Sequence, residues 1–218
     1  DLILQPGGGA EQDTGHWWDA IAAATRRTTA AHPNIPIAAV SVTTQWSGTV
    51  AVDASGDAIG NAIIWMDGRG APYVDKMITG PIRFEGYDVR KARRWIQLTG
   101  GAPTRAGKDP IAHSLYLRNE RPDVYDQTAV FLEPKDFINL RLTGRAVATY
   151  DSITLHWLTD NRDPAAIDYH DDLLGYADID RSLLPELVPA TTAIGKVTTA
   201  AAADLGIPAG IPVLGGTP

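Results

Sequence analysis

The sequence contains no cysteine, which excludes a disulfide framework and a thiolate metal site. It also lacks any apolar run near the ~20 residues that a membrane-spanning helix requires. Basic residues are the minority, with 19 Lys and Arg against 26 Asp and Glu and a net charge of −7. This acidity argues against nucleic acid or an anionic membrane as a partner. The composition is typical of a cytoplasmic protein, and we expect that location.

The first residues, Asp1–Gly9, include neither an initiator methionine nor the basic segment of a signal peptide. The chain therefore reads as an internal piece of a longer one. Its 218 residues are 44% hydrophobic, enough for a sizeable core. Because no linker, repeat or low-complexity tract interrupts it, we predict a single domain over residues 1–218.

The segment Ile37–Arg69 organises the predicted fold. Three β-branched or apolar runs, Ile37–Val42, Thr49–Val52 and Ala58–Trp65, are separated by polar turns. We expect them to be three strands of one small sheet. Helix signals at His16–Ala31, Gly70–Thr79, Tyr87–Leu98, Pro110–Arg118, Glu133–Leu142 and Lys196–Leu205, strand signals at Thr128–Leu132 and Ile211–Leu214, and a loop-rich region at Thr149–Pro189 complete an α/β domain with a mixed sheet.

Two polar groups follow predicted strands, and strand ends are where α/β sheets place ligands. An amide, an indole, a hydroxyl, a carboxylate and a guanidinium gathered there would suit a sugar or polyol. The candidate binding residues are Gln45, Trp46, Ser47, Asp67 and Arg69. Each has an alternative: Gln45 caps its turn, Trp46 packs, and Asp67 with Arg69 forms a structural ion pair.

Other chemistry-bearing patterns are absent. The five histidines show no metal-binding spacing, so we predict no metal site in this chain. Gly7-Gly8-Gly9 lacks the Lys-Ser/Thr pair of a P-loop and is predicted to be a flexible turn.

Five motifs, in order, resemble the N-terminal domain of the FGGY carbohydrate kinases. They resemble the family patterns E-Q-D-x-x-x-W-W, the strand–Gln–turn–strand unit, I-x-W-x-D-x-R, K-D-Y-x-x-x-x-L-T-G and L-P-x-I/V…G-x-V. In this chain they are Glu11–Trp18, Ile37–Val52, Ile63–Arg69, Lys135–Gly144 and Leu184–Glu186 with Gly195–Val197.

This resemblance implies an actin-like, ribonuclease-H-like domain with helices on both faces of the sheet. It implies an ATP-dependent carbohydrate kinase in which this domain supplies most of the sugar pocket, with a C-terminal domain holding most of the ATP. Phosphoryl transfer would need Mg²⁺ and a carboxylate base near the accepting hydroxyl. In that pocket Asp67 would accept hydroxyl protons and Arg69 would fix its loop. A homodimer is left open.

The chain departs from the family pattern at both ends. No D-x-G-T stands before Gly7, so the family's first strands are expected to be missing. The catalytic aspartate of the family follows the glycines of the last strand, and here it is expected just after Pro218. We therefore predict a fragment that does not catalyse phosphoryl transfer by itself, with no catalytic residue of its own.

Further departures leave the substrate unassigned. His113 and Tyr116 replace a Lys and a Trp of one signature, and Tyr150-Asp151 inverts the usual order of another. Relatives acting on xylulose carry Met-His, and glycerol kinases carry Arg-Glu, where this chain has Trp46-Ser47. A non-catalytic sugar-binding or regulatory protein on the same scaffold remains an alternative, as does a different actin-like ATPase.

Overall fold

A computed structural model describes residues 1–218 as eight α-helices and fourteen short β-strands. The six helices predicted from the sequence are all present, and the region predicted as loop-rich contains another, α7. The helices are α1 (Thr14–Ala31), α2 (Ala71–Ile78), α3 (Val89–Thr99), α4 (Pro110–Glu120), α5 (Pro122–Tyr125), α6 (Pro134–Thr143), α7 (Asp171–Ala177) and α8 (Thr199–Leu205).

The strands are short and pair in several small sheets. They are β1 (Ile3–Gln5), β2 (Gly9–Gln12), β3 (Val40–Ser41), β4 (Val50–Val52), β5 (Ala62–Ile63), β6 (Arg83–Phe84), β7 (Tyr87–Asp88), β8 (Val130–Leu132), β9 (Val147–Thr149), β10 (Thr159–Asp160), β11 (Asp168–Tyr169), β12 (Glu186–Val188), β13 (Ala193–Lys196) and β14 (Pro212–Leu214). Two 3₁₀ turns, Ser152–His156 and Arg181–Leu183, lie between them.

The amino-terminal residues form a β-hairpin rather than a flexible turn. Strands β1 and β2 pair antiparallel, and β2 pairs in turn with β5. Gly7 and Gly8 have φ of 76° and 85°, which glycine adopts without steric cost. A bridge between Thr49 and Ile63 joins this sheet to β4, which pairs antiparallel with β8.

The predicted sheet of three consecutive strands is wrong in one pairing. Strand β3 does not pair with β4 or β5 but runs parallel to β14, with Val213 opposite Val40 and Leu214 opposite Ser41. Strand β14 also pairs antiparallel with β13. Local signals mark where a strand lies but not which strand it pairs with, and here the partner comes from the other end of the chain.

Two main hydrophobic clusters support the fold. One surrounds α6 and contains Phe137, together with Trp18 from α1 and Val213 from β14. The other is built around Trp95 of α3, which is fully buried and donates its indole N–H to the Trp157 carbonyl at 3.0 Å. No helix of the protein combines the length and the apolarity needed to cross a bilayer.

Helix ends follow the sequence signals. Asp13 accepts the Gly15 N–H at 2.7 Å and caps α1, which ends just before His32-Pro33. Gly144 ends α6 in the left-handed region, with φ of 74°, as the Thr-Gly pair predicts. Helix α6 is thereby fixed in length, and almost all of its residues are buried.

Candidate functional site

The β3–β4 loop, residues 42–49, leaves the carboxyl end of β3 and carries three of the five predicted binding residues. Gln45 donates from Nε2 to Oε1 of Gln12 at 2.7 Å, which ties the loop to the end of β2. The indole N–H of Trp46 donates to the Ser152 carbonyl at 3.2 Å. Two successive side chains are therefore anchored to two different elements.

The next two residues of the loop are held as firmly. Ser47 has φ of 61°, in the left-handed region, and its hydroxyl donates to the Lys108 carbonyl at 2.8 Å. The Gly48 N–H donates to Oε2 of Glu133 at 3.0 Å. A Cβ on Gly48 would lie 2.6 Å from the Pro134 ring, so only glycine allows this loop to approach the start of α6.

The loop still offers free groups to a ligand. Trp46 is 42% exposed although its indole N–H is bonded, so an aromatic surface faces outward. Oε1 of Gln45 takes part in no hydrogen bond within the chain, and the Ser47 oxygen retains its acceptor capacity. An aromatic face beside an amide and a hydroxyl is suited to a molecule with C–H faces and hydroxyl edges.

Asp67 and Arg69 occupy a different environment, in the turn after β5. The Asp67 side chain is 1% exposed. Its Oδ2 accepts the Ala10 N–H at 2.8 Å and its Oδ1 accepts the Arg69 N–H at 2.9 Å. The Arg69 guanidinium bonds both oxygens, at 2.7 Å from Nη2 to Oδ2 and 3.2 Å from Nε to Oδ1. The carboxylate is thus fully committed inside the protein.

The other face of the Arg69 guanidinium is equally occupied. Nη2 lies 2.6 Å from Oε1 of Glu11, and Nη1 donates to the Tyr116 hydroxyl at 2.9 Å. The guanidinium carbon also sits 4.3 Å from the centre of the Tyr116 ring, at cation–π distance. These bonds hold β2, the turn after β5 and α4 together. They favour the structural alternative for Asp67 and Arg69.

The two polar turns do not form a single wall. Gln45 bonds Gln12, whereas Arg69 bonds Glu11, and these two partners are neighbours on β2. Because neighbouring residues on a strand point to opposite faces, Gln45 and Arg69 contact opposite faces of this sheet. The sequence could not reveal this separation, since it predicts turns at strand ends but not the side from which each turn reaches the sheet.

The loop before α4, residues 104–109, connects the two regions. Its Lys108 carbonyl accepts the Ser47 hydroxyl, and its Ala106 carbonyl lies against Gly68. The ion-pair network at Arg69 therefore supports the β3–β4 loop indirectly, through an intervening loop.

Two fully buried histidines lie behind the β3–β4 loop. His113 Nδ1 is 3.1 Å from the Thr49 hydroxyl, and its Nε2 has no partner within the chain. Burial lowers the pKa of His113 to about 4, against the opposing charge of Asp67. Burial also lowers the pKa of His156, whose ring nitrogens are both unpaired, to about 3. Both imidazoles are neutral near pH 7.

Burial acts on the neighbouring carboxyl groups in the opposite direction. It raises the pKa of Glu133 well above its ordinary value, although the Gly48 N–H opposes this. It raises the pKa of Asp136 to about 6, against the stabilising charge of Lys135. Lys135 pairs with Asp136, and both are fully buried. The buried layer behind the β3–β4 loop is therefore rich in polar groups that are shielded from solvent.

Sequence reasoning missed the residues that hold the loop. Gln12 lies in the E-Q-D motif and His113 stands where relatives carry Lys, but neither position identifies its contact. Ser152 and Glu133 carry no local signal, because their partners are distant in the chain. No group of three or more His, Cys, Asp or Glu residues in the chain is arranged to hold a metal ion, so we assign no metal ligand to these residues.

The structural role of Arg69 can be tested by replacement with Met. Arg69→Met leaves the buried Asp67 carboxylate unpaired, and we expect the free energy of unfolding to fall by about 3–5 kcal/mol in denaturant titrations. Arg121→Met is the matched control, since its partner Asp123 is 62% exposed and such pairs contribute about 0–1 kcal/mol. Equal effects of the two variants would contradict the framework role.

Against the opposite contribution of Glu133 and Asp136, whose pKa values are raised, the two buried histidines lower the stability of the fold in acid. The folded pKa values of these histidines lie below the ordinary value, so the unfolded chain binds more protons and stability is lost as pH falls below about 6.5. His156→Phe removes one of the two groups that take up a proton when the chain unfolds in acid. Its stability relative to wild type should rise by about 2 kcal/mol between pH 7 and pH 5 in denaturant titrations. The exposed His16→Phe serves as control, and an unchanged difference between the two pH values would contradict the prediction.

Comparison with known proteins identifies the family. The description "FGGY family of carbohydrate kinases, N-terminal domain" matches residues 2–218. The chain is 29% identical over 193 residues to a xylulose kinase of Streptomyces rubiginosus, covering 88% of this chain and 37% of that protein. It is 29% identical over 208 residues to an erythritol kinase of Brucella abortus, covering 94% of this chain and 38% of that protein.

Solved structures confirm the predicted fold. The xylulose kinase of Rhodospirillum rubrum superposes with a TM-score of 0.85 at 26% identity, covering 100% of this chain and 43% of that one. The xylulose kinase of Lactobacillus acidophilus, at 22% identity, superposes with a TM-score of 0.83 and covers 41% of its chain. The chain thus spans less than half the length of these relatives, and its α/β fold is that of the actin-like kinases. It belongs to the FGGY family of carbohydrate kinases and matches the N-terminal domain of that family.

Proposed function

We propose that this chain is the carbohydrate-binding domain, residues 1–218, of an ATP-dependent kinase that phosphorylates a hydroxyl of a sugar or polyol. The observation that carries the proposal is the exposed indole of Trp46 on a loop whose neighbouring residues are all anchored. That loop follows the carboxyl end of β3, beside the parallel strand β14. Carboxyl ends of adjacent parallel strands are a preferred place for ligands in α/β proteins.

In this proposal each loop residue has a separate task. Trp46 covers an apolar C–H face of the carbohydrate, and Oε1 of Gln45 and the Ser47 oxygen each accept a hydrogen bond from a carbohydrate hydroxyl. Asp67 and Arg69 keep the supporting loops in place. Because the anchors exist before the substrate arrives, little conformational freedom is lost when it binds.

The remaining parts of the reaction lie outside these residues. We propose that a C-terminal domain binds ATP with Mg²⁺, which supplies the γ-phosphoryl group and neutralises its charge. A carboxylate base just after Pro218 would accept the proton of the attacking hydroxyl. The isolated chain would then bind carbohydrate without transferring phosphate, in a protein of the cytoplasm.

The substrate class follows from the loop and from the relatives. Similar proteins include a xylulose kinase, an erythritol kinase and an L-xylulose/3-keto-L-gulonate kinase. We propose a small sugar or polyol of that kind for this chain. An indole at position 46 favours a substrate with a continuous C–H face, since stacking needs apolar area.

Trp46→Ala in the intact protein tests the pocket. The intact protein is first screened against pentoses, hexoses and polyols by ADP release. We expect the variant to raise the carbohydrate KM about tenfold or more, with the nucleotide KM within about twofold, because the substitution removes the aromatic contact to the carbohydrate and no proposed contact to the nucleotide.

The matched control for this substitution is Trp65→Ala, which truncates an indole that is 49% exposed in the turn after β5. An unchanged carbohydrate KM in Trp46→Ala would remove the site assignment. Carbohydrate binding by calorimetry without turnover of any panel member would instead support the non-catalytic sugar-binding protein.

We also propose a homodimer formed through the outer face of α3 and the β6–β7 hairpin. A groove of about 850 Å³ lies there, bordered by the exposed side chains of Phe84, Val89 and Ile96. Glu85 and Arg93 line the same groove and form no ion pair within the chain. A two-fold axis would bring the carboxylate of one copy to the guanidinium of the other.

Ile96→Asp tests this surface by placing a charge in its apolar centre. We expect sedimentation of the wild-type protein as a dimer and of the variant as a monomer, because burying an unpaired carboxylate is costly. Ile35→Asp is the control, since Ile35 is 65% exposed on the loop between α1 and β3, outside the groove. A wild-type monomer, or a dimer unaffected by Ile96→Asp, would contradict the proposal.

A further inference from the structure

The turn after β14 is held from inside the protein by two side chains of α6. The Gly215 carbonyl accepts a hydrogen bond from Nζ of Lys135 at 3.0 Å and another from Nδ2 of Asn139 at 2.8 Å. Both donors are 0% exposed and lie one helical turn apart on α6. A single backbone carbonyl therefore accepts two hydrogen bonds, both from fully buried side chains.

This arrangement is expensive for a hydrophobic core. Burying an ammonium group costs free energy that its pairing with Asp136 only offsets, and apolar residues of similar size often stabilise a protein as well. Asn139 leaves its Oδ1 without a partner within the chain, which adds to the cost. Stability is therefore a poor explanation for these donors, whereas exact placement of the Gly215 carbonyl explains both.

The turn they hold lies directly against the β3–β4 loop. Gly216 has φ of 72°, and a Cβ built on it would lie 2.2 Å from the Val42 carbonyl oxygen. No other residue allows this approach without moving one of the two segments. A displacement of Gly215 and Gly216 would therefore be transmitted to the residue where the β3–β4 loop begins.

A second connection runs through the same buried layer. Ser152 donates from Oγ to Oδ2 of Asp136 at 2.7 Å, and its backbone carbonyl accepts the Trp46 indole N–H. Asp136 in turn pairs with Lys135, which bonds Gly215. Hydrogen bonds thus lead continuously from the exposed indole to the turn after β14.

We propose that Lys135 and Asn139 are positioning residues that hold the turn after β14 in register with the β3–β4 loop. They touch neither carbohydrate nor nucleotide. The inference rests on the proposed function, in which the segment that follows this turn carries the base and the β3–β4 loop carries the substrate. Loss of either donor separates these two parts, so it lowers the rate of transfer more than the affinity for substrate.

Asn139→Leu in the intact protein tests the inference. Asn and Leu side chains have the same number and branching of heavy atoms, and the substitution also removes the unpartnered Oδ1, so the variant is expected to fold. We expect kcat to fall about tenfold or more, while the carbohydrate and nucleotide KM values change less than about threefold. Amide hydrogen exchange should accelerate at residues 211–217 and at residues 43–48.

Two further variants separate positioning from general loosening of the core. Thr128→Val removes a comparable buried bond, from Oγ1 to the Val124 carbonyl at 2.9 Å, and should leave kcat within about twofold. Lys135→Met combined with Asp136→Asn removes the second donor without leaving a buried charge unpaired, and should reproduce the kcat loss of Asn139→Leu. A folded Asn139→Leu variant with wild-type kcat would overturn the proposal.

Phosphate transfer by the wild-type protein tests the proposed function separately from the positioning role. If that protein transfers phosphate to no carbohydrate, hydrogen exchange decides the structural claim. Faster exchange at both segments in Asn139→Leu, and at neither in Thr128→Val, would support the positioning role. Unchanged exchange at residues 43–48 in Asn139→Leu would overturn it.

Discussion

The parallel pairing of β3 with β14 is the constraint on which the candidate site depends. It joins residues from opposite ends of the chain, and it places the β3–β4 loop beside the turn that contains Gly215 and Gly216. Two short strands alone would pair weakly. The close contact of Gly216 with Val42, and the two donors from α6 to Gly215, make the arrangement rigid.

Helix α6 supplies the two donors that make this arrangement rigid, and burying its polar side chains costs solvation free energy. The helix buries Lys135, Asp136 and Asn139, and burial raises the pKa of Asp136 to about 6. Such a layer is stable only when nearly every polar atom has a partner, since a half-satisfied network is worse than an apolar core. The unpaired atoms of Asn139 and His156 mark where the network is incomplete. They adjoin the site, where strain and imperfect pairing are commonly tolerated.

The sequence predicted the helices well and the strand partners poorly. Apolar periodicity and end signals located α1 and α6, because both depend on neighbours in the chain. The partner of β3 and the amino-terminal hairpin depend on contacts across the fold, which periodicity does not encode. The sequence indicates that glycine pairs form turns, but it does not reveal that Gly216 contacts Val42.

The same limit explains the candidate site. The sequence predicts Gln45, Trp46 and Ser47 as candidates because a polar turn after a strand is visible in it. Asp67 and Arg69 have equally suitable chemistry, and their use as an internal ion pair follows only from the position of Glu11 and Tyr116. Residue type at a strand end thus indicates that a side chain can bind a ligand, but only its contacts decide whether it is free to do so.

Within the β3–β4 loop, the exposed ring of Trp46 is the surface most available to a ligand. Gln45, Ser47 and Gly48 are fixed by bonds from β2, from the loop before α4 and from Glu133, whereas the Trp46 ring is bonded only at its N–H. A change at position 46 therefore alters the surface that a ligand meets and removes one bond, to the Ser152 carbonyl, while the bonds at positions 45, 47 and 48 remain. Changes at positions 12 or 133, whose side chains bond the loop, would move the loop itself. In the proposed carbohydrate pocket, substrate preference would then vary at one exposed aromatic position while the framework that orients it stays constant.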